Sequence, residues 1–322
     1  MSLDVLIYRV TTLWKVIVVG SAFPVATVWL SSMYHGTEAP LLMALAVLIP
    51  TVHALRYPGL WHETVTVSLI LSLCLCLAAM IEPGLTIGEL VWRFFWLCVL
   101  ALILFLVAVT PMSMMLQSGR KRLLTGKATK RSSLDVDSLR AAITLYPGRE
   151  SERTWCGPAD ADGRFPVTIN AGAIELVQFE IEPDHLTAVE DPDDDEDPVF
   201  DEDGNCAVDL YAVVHASTPE RHEVFTYVEP DEVGVLRHSF LDLGEKGTEV
   251  TVEETGHYLT TGQIFGFWLV NCMTDYLTHE LDLAEGRRPR ANRAFPQKQL
   301  VVDLANLILP MLGGKRIEKP GV

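Results

Sequence analysis

The chain opens with long apolar runs and continues with short alternating ones. Four apolar segments can be drawn in the first third, at about Leu13–Met33, Pro40–Ala54, Thr64–Ile81 and Phe94–Leu116. A spanning helix needs roughly 20 residues, with a lower limit near 17. The first, third and fourth segments meet this. The second, as drawn, has 15 residues and contains Pro50; it is kept because the short loops beside it need an even count. Farther on, Ser138–Tyr146 reads as a short helix ended by Pro147-Gly148. From Arg164 the period falls to two. The predicted strands are Phe165–Asn170, Ile174–Glu182, Ala207–Ala216, His222–Val228, Val233–Leu241 and Glu249–His257, with turn residues at Glu229-Pro230-Asp231 and Gly244–Gly247. Consecutive strands at this spacing predict an antiparallel meander. One long helix, Gly262–Glu285, follows. It places Phe265, Trp268, Leu269, Cys272, Met273 and Tyr276 on one face and Asn271, Thr274, Asp275, Thr278 and Asp282 on the other.

Charge divides the chain further. Gln117–Ser133 carries six cations and no acid, directly after the last apolar segment. By the positive-inside rule it marks a cytoplasmic end. The loops His35–Ala39 and Glu82–Glu89 hold acids and no Lys or Arg, whereas Arg9, Lys15 and Arg56 fall on the other side. Both termini are therefore expected in the cytoplasm, in an inner or plasma membrane protein. Lys15, at the edge of the first segment, is the one carboxylate or ammonium within a predicted span, and none lies deeper, which argues against an ion path. The net charge of -17 is concentrated after the junction: Val189–Gly204 holds ten acids in sixteen residues. That balance excludes nucleic acid, whose phosphates require clustered Lys and Arg. Six scattered cysteines form no CxxC pair and read as packing residues.

The expected fold class is thus membrane α-helical, with four transmembrane helices, plus an α+β domain. The divisions are a four-helix transmembrane domain at 1–116, a basic cytoplasmic linker at 117–133, a soluble domain at 134–286 and a basic amphipathic tail at 287–322. The meander's last strand reads Lys246-Gly-Thr-Glu-Val-Thr-Val-Glu-Glu-Thr-Gly256. Followed by a loop and a long helix with bulky aromatics, it resembles the START-like helix-grip superfamily. That group includes START lipid-binding domains and polyketide cyclase/dehydrase-like (SRPBCC) proteins. The resemblance covers His222–Glu285, about a fifth of the chain. It implies an antiparallel helix-grip sheet wrapped on a long C-terminal helix, with an apolar cavity between them. The residues it implies for ligand binding are Phe225, Tyr227, His238, Phe240, Phe265, Trp268, Leu269, Met273 and Tyr276. It implies no cofactor.

Other constellations fail on spacing. Setting Gly204 at position 6 of a calcium loop puts Val199 and Leu210 where acids are needed, and Asp160–Gly163 fails in the same way. His215 and His222 flank a turn without zinc-ligand spacing, so no metal is expected. No nucleophile-elbow or phosphate-loop motif occurs.

The reading these features favour is a membrane-anchored binding module, facing the cytoplasm, for a hydrophobic ligand such as a lipid. Its partners would be membrane lipids and a further membrane protein. A cyclase/dehydrase-like enzyme would need an acid or base in the cavity, for which His238, Arg237, Tyr227 and His257 are available. An assembly subunit would use the acidic loop against a basic partner. In the tail, Leu300, Val301, Leu304, Leu307, Ile308 and Met311 recur at helical spacing between basic clusters. The segment is too short to span and suits an anionic membrane surface, or else packing on the sheet.

Overall fold

Pairing of the sheet begins inside the basic stretch. In the computed structural model, which describes residues 2–30, 38–58, 60–79, a set of helical positions between 89 and 107, 120–151, 154–172, 205–228, 231–292, 300–308 and 310, β1 runs over Lys121–Ser132. The stretch expected to be a linker is an edge strand. Its cations alternate with Leu124, Gly126 and Ala128, and acids from a distant strand face two of them.

The remaining strands are β2 (Thr154–Cys156), β3 (Arg164–Gly172), β4 (Asn205–Thr218), β5 (Arg221–Val228), β6 (Asp231–Asp242) and β7 (Thr248–Thr260). All pairings are antiparallel, and the order across the sheet is β1-β7-β6-β5-β4-β3-β2. This is the expected α+β meander, with the first strand closing against the last. The proposed strand Ile174–Glu182 lies outside the described residues.

The N-terminal helices are α1 (Leu3–Thr12), α2 (Trp14–Leu30), α3 (Glu38–Arg56) and α4 (Trp61–Ala79). The sheet unit adds α5 (Val136–Ile143), capped by the Asp135 carboxylate on the Ser138 amide. The long helix predicted at Gly262–Glu285 is broken into α6 (Thr261–Leu269) and α7 (Cys272–Ala284). Asn271 sits between them at φ 50, ψ 46, the left-handed region that Asn tolerates better than most residues. Last comes α8 (Leu300–Ile308).

The chain forms two compact units. One comprises Met1–Gly119, Trp268–Val270 and Lys298–Arg316; the other comprises Arg120–Phe267, Asn271–Gln297 and Ile317–Val322. In the helical unit α1 and α2 meet at a 66° bend beside fully buried Leu13. Leu13, Val16, Ala54 and Leu269 share its core. Gly20 lets three helices close up: a Cβ there would stand 3.0 Å from Thr64 Cγ2 and 3.3 Å from Pro50 Cβ.

Four spans are not what the described residues present. One helix, Ala39–Arg56, is long and apolar enough to cross a membrane, or two if the bent α1–α2 pair counts as one span. It is the segment that looked weakest in sequence, lengthened because its helix starts at Glu38 and continues through Pro50. α4 offers a shorter apolar stretch, Trp61–Leu77. The fourth segment falls only partly within the described residues.

In the sheet unit, Ala128, Phe240, Val250 and Val252 pack under Met273, Leu277 and Leu281 of α7, together with Leu139 and Ile143 of α5. A second cluster, Phe165, Val167, Leu210, Ala212, Val224, Leu145 and Cys156, joins it through Leu236. The face of α7 expected in water is buried instead. Asp275 accepts the Asn292 amide at 2.8 Å, and Asp282 accepts the backbone and guanidinium of Arg290 at 3.0 and 2.8 Å. Two cations of the tail, Arg287 and Arg290, are thereby paired with Asp282. The tail helix α8 belongs to the helical unit. In the helical unit, Glu63 accepts the Leu300 amide and Asp303 accepts the Tyr57 hydroxyl.

Close approach of α7 to β1 depends on Gly126, where a Cβ would stand 2.6 Å from Met273 Cγ. Gly126→Ala is expected to cost about 1–3 kcal/mol through overpacking, read as a lower denaturant midpoint. Adding Met273→Ala should recover part of that loss. Strictly additive losses would show that the two residues do not share the space.

Candidate functional site

Strand alternation sorts the ligand-binding residues that the resemblance implies. Leu236, His238 and Phe240 project from one face of β6, towards α5 and α7, because apolar residues at this period bury together. Arg237 lies on the other face. Its guanidinium donates to Glu223 of β5 at 3.1 Å and to Glu253 of β7 at 3.2 Å, and Lys127 of β1 donates to the same Glu253 at 2.6 Å. Arg221 adds a further contact to Glu223. These residues are direct cross-strand neighbours, so the acids and bases of four strands form one row. The Arg237 hydrogen bond holds the Glu223 carboxyl below its ordinary range, and the Lys127 hydrogen bond does the same for Glu253.

Phe225 and Tyr227 share that outer face. Phe225 meets the His215 ring edge-on at 4.8 Å, and the Arg164 guanidinium lies 5.7 Å from the Tyr227 ring. They are therefore separated by the sheet from His238 and Phe240. Met273 and Tyr276 pack on the α7 side with Phe240. Phe265 is exposed. Trp268 and Leu269 belong to the helical unit, where Lys15 Nζ lies 4.4 Å over the Trp268 ring and Leu269 packs with Leu13 and Val16. The structure thus brings together His238, Phe240, Met273 and Tyr276 and not the remaining five. Of the four possible acids or bases, His238 is the one on the α7 face; Arg237 and Tyr227 lie opposite, and the side chain of His257 lies outside the described residues.

His238 is 1% exposed, and its ring stacks on Phe240 at 6.2 Å with 10° between planes. Directly across the ladder stands His222, also buried. The two differ in hydrogen bonding. His222 Nε2 donates to the Leu145 carbonyl at 2.8 Å, since a carbonyl only accepts, and its Nδ1 lies 3.1 Å from Ser217 Oγ. Ser217 Oγ in turn accepts from Arg140. Burial lowers the His222 pKa, so the neutral ring is fully occupied: one nitrogen donates and the other accepts from the serine. His238 Nδ1 has no partner. Burial first, then the charges of His222 and Arg149, push the His238 pKa down to about 3.

Arg149 was not legible as part of this site. It is 5% exposed, donates to the Ala142 carbonyl at 2.7 Å and lies 3.5 Å from the Glu280 carboxylate of α7. The only sequence signal is its place just after the Pro147-Gly148 stop, where a cation reaches back to the last carbonyls of α5.

The arrangement offers a neutral imidazole with one open hydrogen-bonding position, on an apolar face, beside a buried cation. A base with a pKa of about 3 is poorly matched to proton abstraction near neutral pH. It is well suited to holding one polar atom of an otherwise apolar molecule. Among the described residues, no three His, Cys, Asp or Glu side chains converge on a possible metal position.

No family model matches the chain, and no curated protein matches it. Among solved structures, the di-domain ARO/CYC StfQ from the steffimycin biosynthetic pathway is similar at 10% identity, over 64% of this chain and 61% of that one, with a TM-score of 0.32. The di-domain ARO/CYC BexL from the BE-7585A biosynthetic pathway is similar at 12% identity, over 66% and 62%, with a TM-score of 0.25. A Staphylococcus aureus protein of unknown function is similar at 8% identity, over 52% and 91%, with a TM-score of 0.29. Scores this low leave the α+β assignment to the strand order and the packing of α7.

A depressed imidazole pKa makes stability pH-dependent. Below about pH 6.5 the unfolded chain takes up a proton that folded His238 refuses, until about pH 3. The sheet unit should lose about 1.4 kcal/mol per pH unit over that window for this residue. Hydrogen exchange of β5 and β6 amides, corrected for chemical rate, measures it. His238→Leu should flatten the slope by about that amount; an unchanged slope would place the titration elsewhere.

Proposed function

We propose that this protein is a membrane-anchored binding module whose sheet unit holds an apolar ligand through one polar atom on His238. The observation that carries the binding reading is the unpaired, fully buried Nδ1 beside Phe240 and Met273. An unsatisfied buried polar atom costs about 1–3 kcal/mol, which a ligand oxygen or N–H would relieve. Apolar burial, about 25 cal/mol per Å², would supply the rest of the affinity. The resemblance to helix-grip domains fits this reading, as does an antiparallel sheet carrying α7 across one face.

Anchoring is supported by an inverted distribution in the helical unit. Val18, Leu41, Leu48, Val52 and Leu73 are exposed, while Ser21, Thr64, Thr66 and Ser68 are buried. In water that arrangement wastes apolar surface; in hydrocarbon it is the favourable one, with small and polar residues between helices. The ligand would be a lipid or another membrane-dissolved molecule, and the sheet unit would face the cytoplasm.

Native mass spectrometry of the full chain, released from detergent after purification from its cells, tests the proposal. The wild type should retain an apolar adduct, and His238→Leu should reduce its occupancy about threefold to tenfold, the size of one hydrogen bond. Two wild-type outcomes count against the reading: no adduct at all, and extraction of the chain from membranes by alkaline carbonate.

A further inference from the structure

The helical unit buries a second set of titratable groups, in its own core. Glu63, in the first turn of α4, is 3% exposed, and His53, near the end of α3, is 7% exposed. His53 Nδ1 lies 2.9 Å from Thr64 Oγ1. His53 Nε2 has no hydrogen bond and faces Glu63 Oε2 at 3.7 Å, just beyond reach. That same Oε2 accepts the amide of Leu300, the first residue of α8, at 3.2 Å. One carboxylate oxygen therefore caps a helix N-terminus while standing beside an unsatisfied imidazole nitrogen. An anion there complements the positive end of α8.

The surrounding charged and titratable groups come from every packed element. Buried Arg9 of α1 donates through Nη1 to the Leu55 carbonyl at 2.8 Å. Arg56 closes α3. Tyr57 donates its hydroxyl to Asp303 of α8 at 3.0 Å, and its ring lies 4.9 Å from that of His53. His62 precedes Glu63 in α4. On α2, Lys15 is turned to the Trp268 carbonyl.

We propose that His53 and Glu63 form a proton-binding site that sets how firmly α8 is held. The neutral ring carries its proton on Nδ1, donated to Thr64. A proton from solvent forms one N–H bond at Nε2 and leaves an imidazolium facing a carboxylate. Charge-assisted N–H···O contacts close to about 2.7–2.9 Å, so Oε2 must move by nearly 1 Å from its present 3.7 Å. Its contact to the Leu300 amide, 3.2 Å, is already at the long end of the range and is given up. Acid therefore loosens α8. The inference concerns the helical unit alone and holds whatever the sheet unit binds.

The test is hydrogen exchange of peptides covering 300–308, in the full chain in detergent micelles, at pH 5.5 and 7.5, corrected for chemical rate. Wild-type protection should fall about fivefold at the lower pH, the size of one lost hydrogen bond. His53→Gln should keep the protection at pH 7.5 and abolish the change. Glu63→Ala, which removes the acceptor, should show low protection at both values. Tyr57→Phe, which removes the other clasp, should lower protection at both values and leave the pH change intact. Protection of β6 peptides reports that each variant is folded. The proposal is overturned if wild-type protection is equal at the two values, if His53→Gln retains the change, or if Glu63→Ala keeps full protection.

Discussion

The pairing of β1 with β7 is the constraint on which the sheet unit depends. It joins residues 116 to 139 positions apart, from Ser132 against Thr248 to Lys121 against Thr260. Loop-closure entropy opposes such a contact, so it must be repaid by many bonds formed together. The long ladder, the Lys127–Glu253 and Arg131–Glu249 pairs and the Thr129–Thr251 hydroxyl contact supply them. With β1 in place, Gly126 and Ala128 form the floor on which Met273 rests, and α7 is fixed across the strands. Without it, β7 becomes the sheet edge and α7 loses one side of its seat.

The two faces of this sheet handle polarity in opposite ways. On the outer face, charge is abundant and compensated along a row of cross-strand partners. On the α7 face, polarity is scarce, and each group is placed individually. His222 is bound at both nitrogens and acts as a cross-brace between β5 and the segment after α5. His238, its neighbour in register, has the same chemistry and the same burial but an open Nδ1. Because the ring is held neutral by burial and by Arg149, the difference lies in hydrogen bonding and not in charge.

Much of the sheet was legible from alternation alone. The strands at 207–216, 222–228, 233–241 and 249–257 sit inside β4 to β7, because one apolar face and one polar face leave a period of two. β1 was hidden because its inward positions include Gly126 and Ala128, too small to register as a hydrophobic stripe, and because the acids that neutralise Lys127 and Arg131 lie far away in sequence. The helix over 262–285 had continuous periodicity, which says nothing about a single left-handed residue; Asn271 was the clue. Periodicity on α7 identified its core side correctly and misplaced the other side in solvent, because the strap that covers Asp275 and Asp282 is irregular. The choice of Phe225 and Tyr227 together with His238 and Phe240 ignored parity within β5 and β6. Glu63 lies just before the third apolar segment and His53 near the end of the second, and the packing of α1, α3, α4 and α8 encloses both.

Neither compact unit is a single stretch of chain. The helical unit takes its first residues from the N-terminus and its last from Lys298–Arg316, with Trp268–Val270 contributed between them. During synthesis, the helices that emerge first must wait for Lys298–Arg316 before their core is complete. During that interval the Glu63 carboxylate lacks the amide it will cap, and Leu13 lacks Leu269. Most of the sheet unit, Arg120–Phe267 and Asn271–Gln297, is made within that interval, and its last piece, Ile317–Val322, follows α8. The two units are therefore interleaved along the chain, and a chain stopped short of α8 would carry a helical unit with an open polar core.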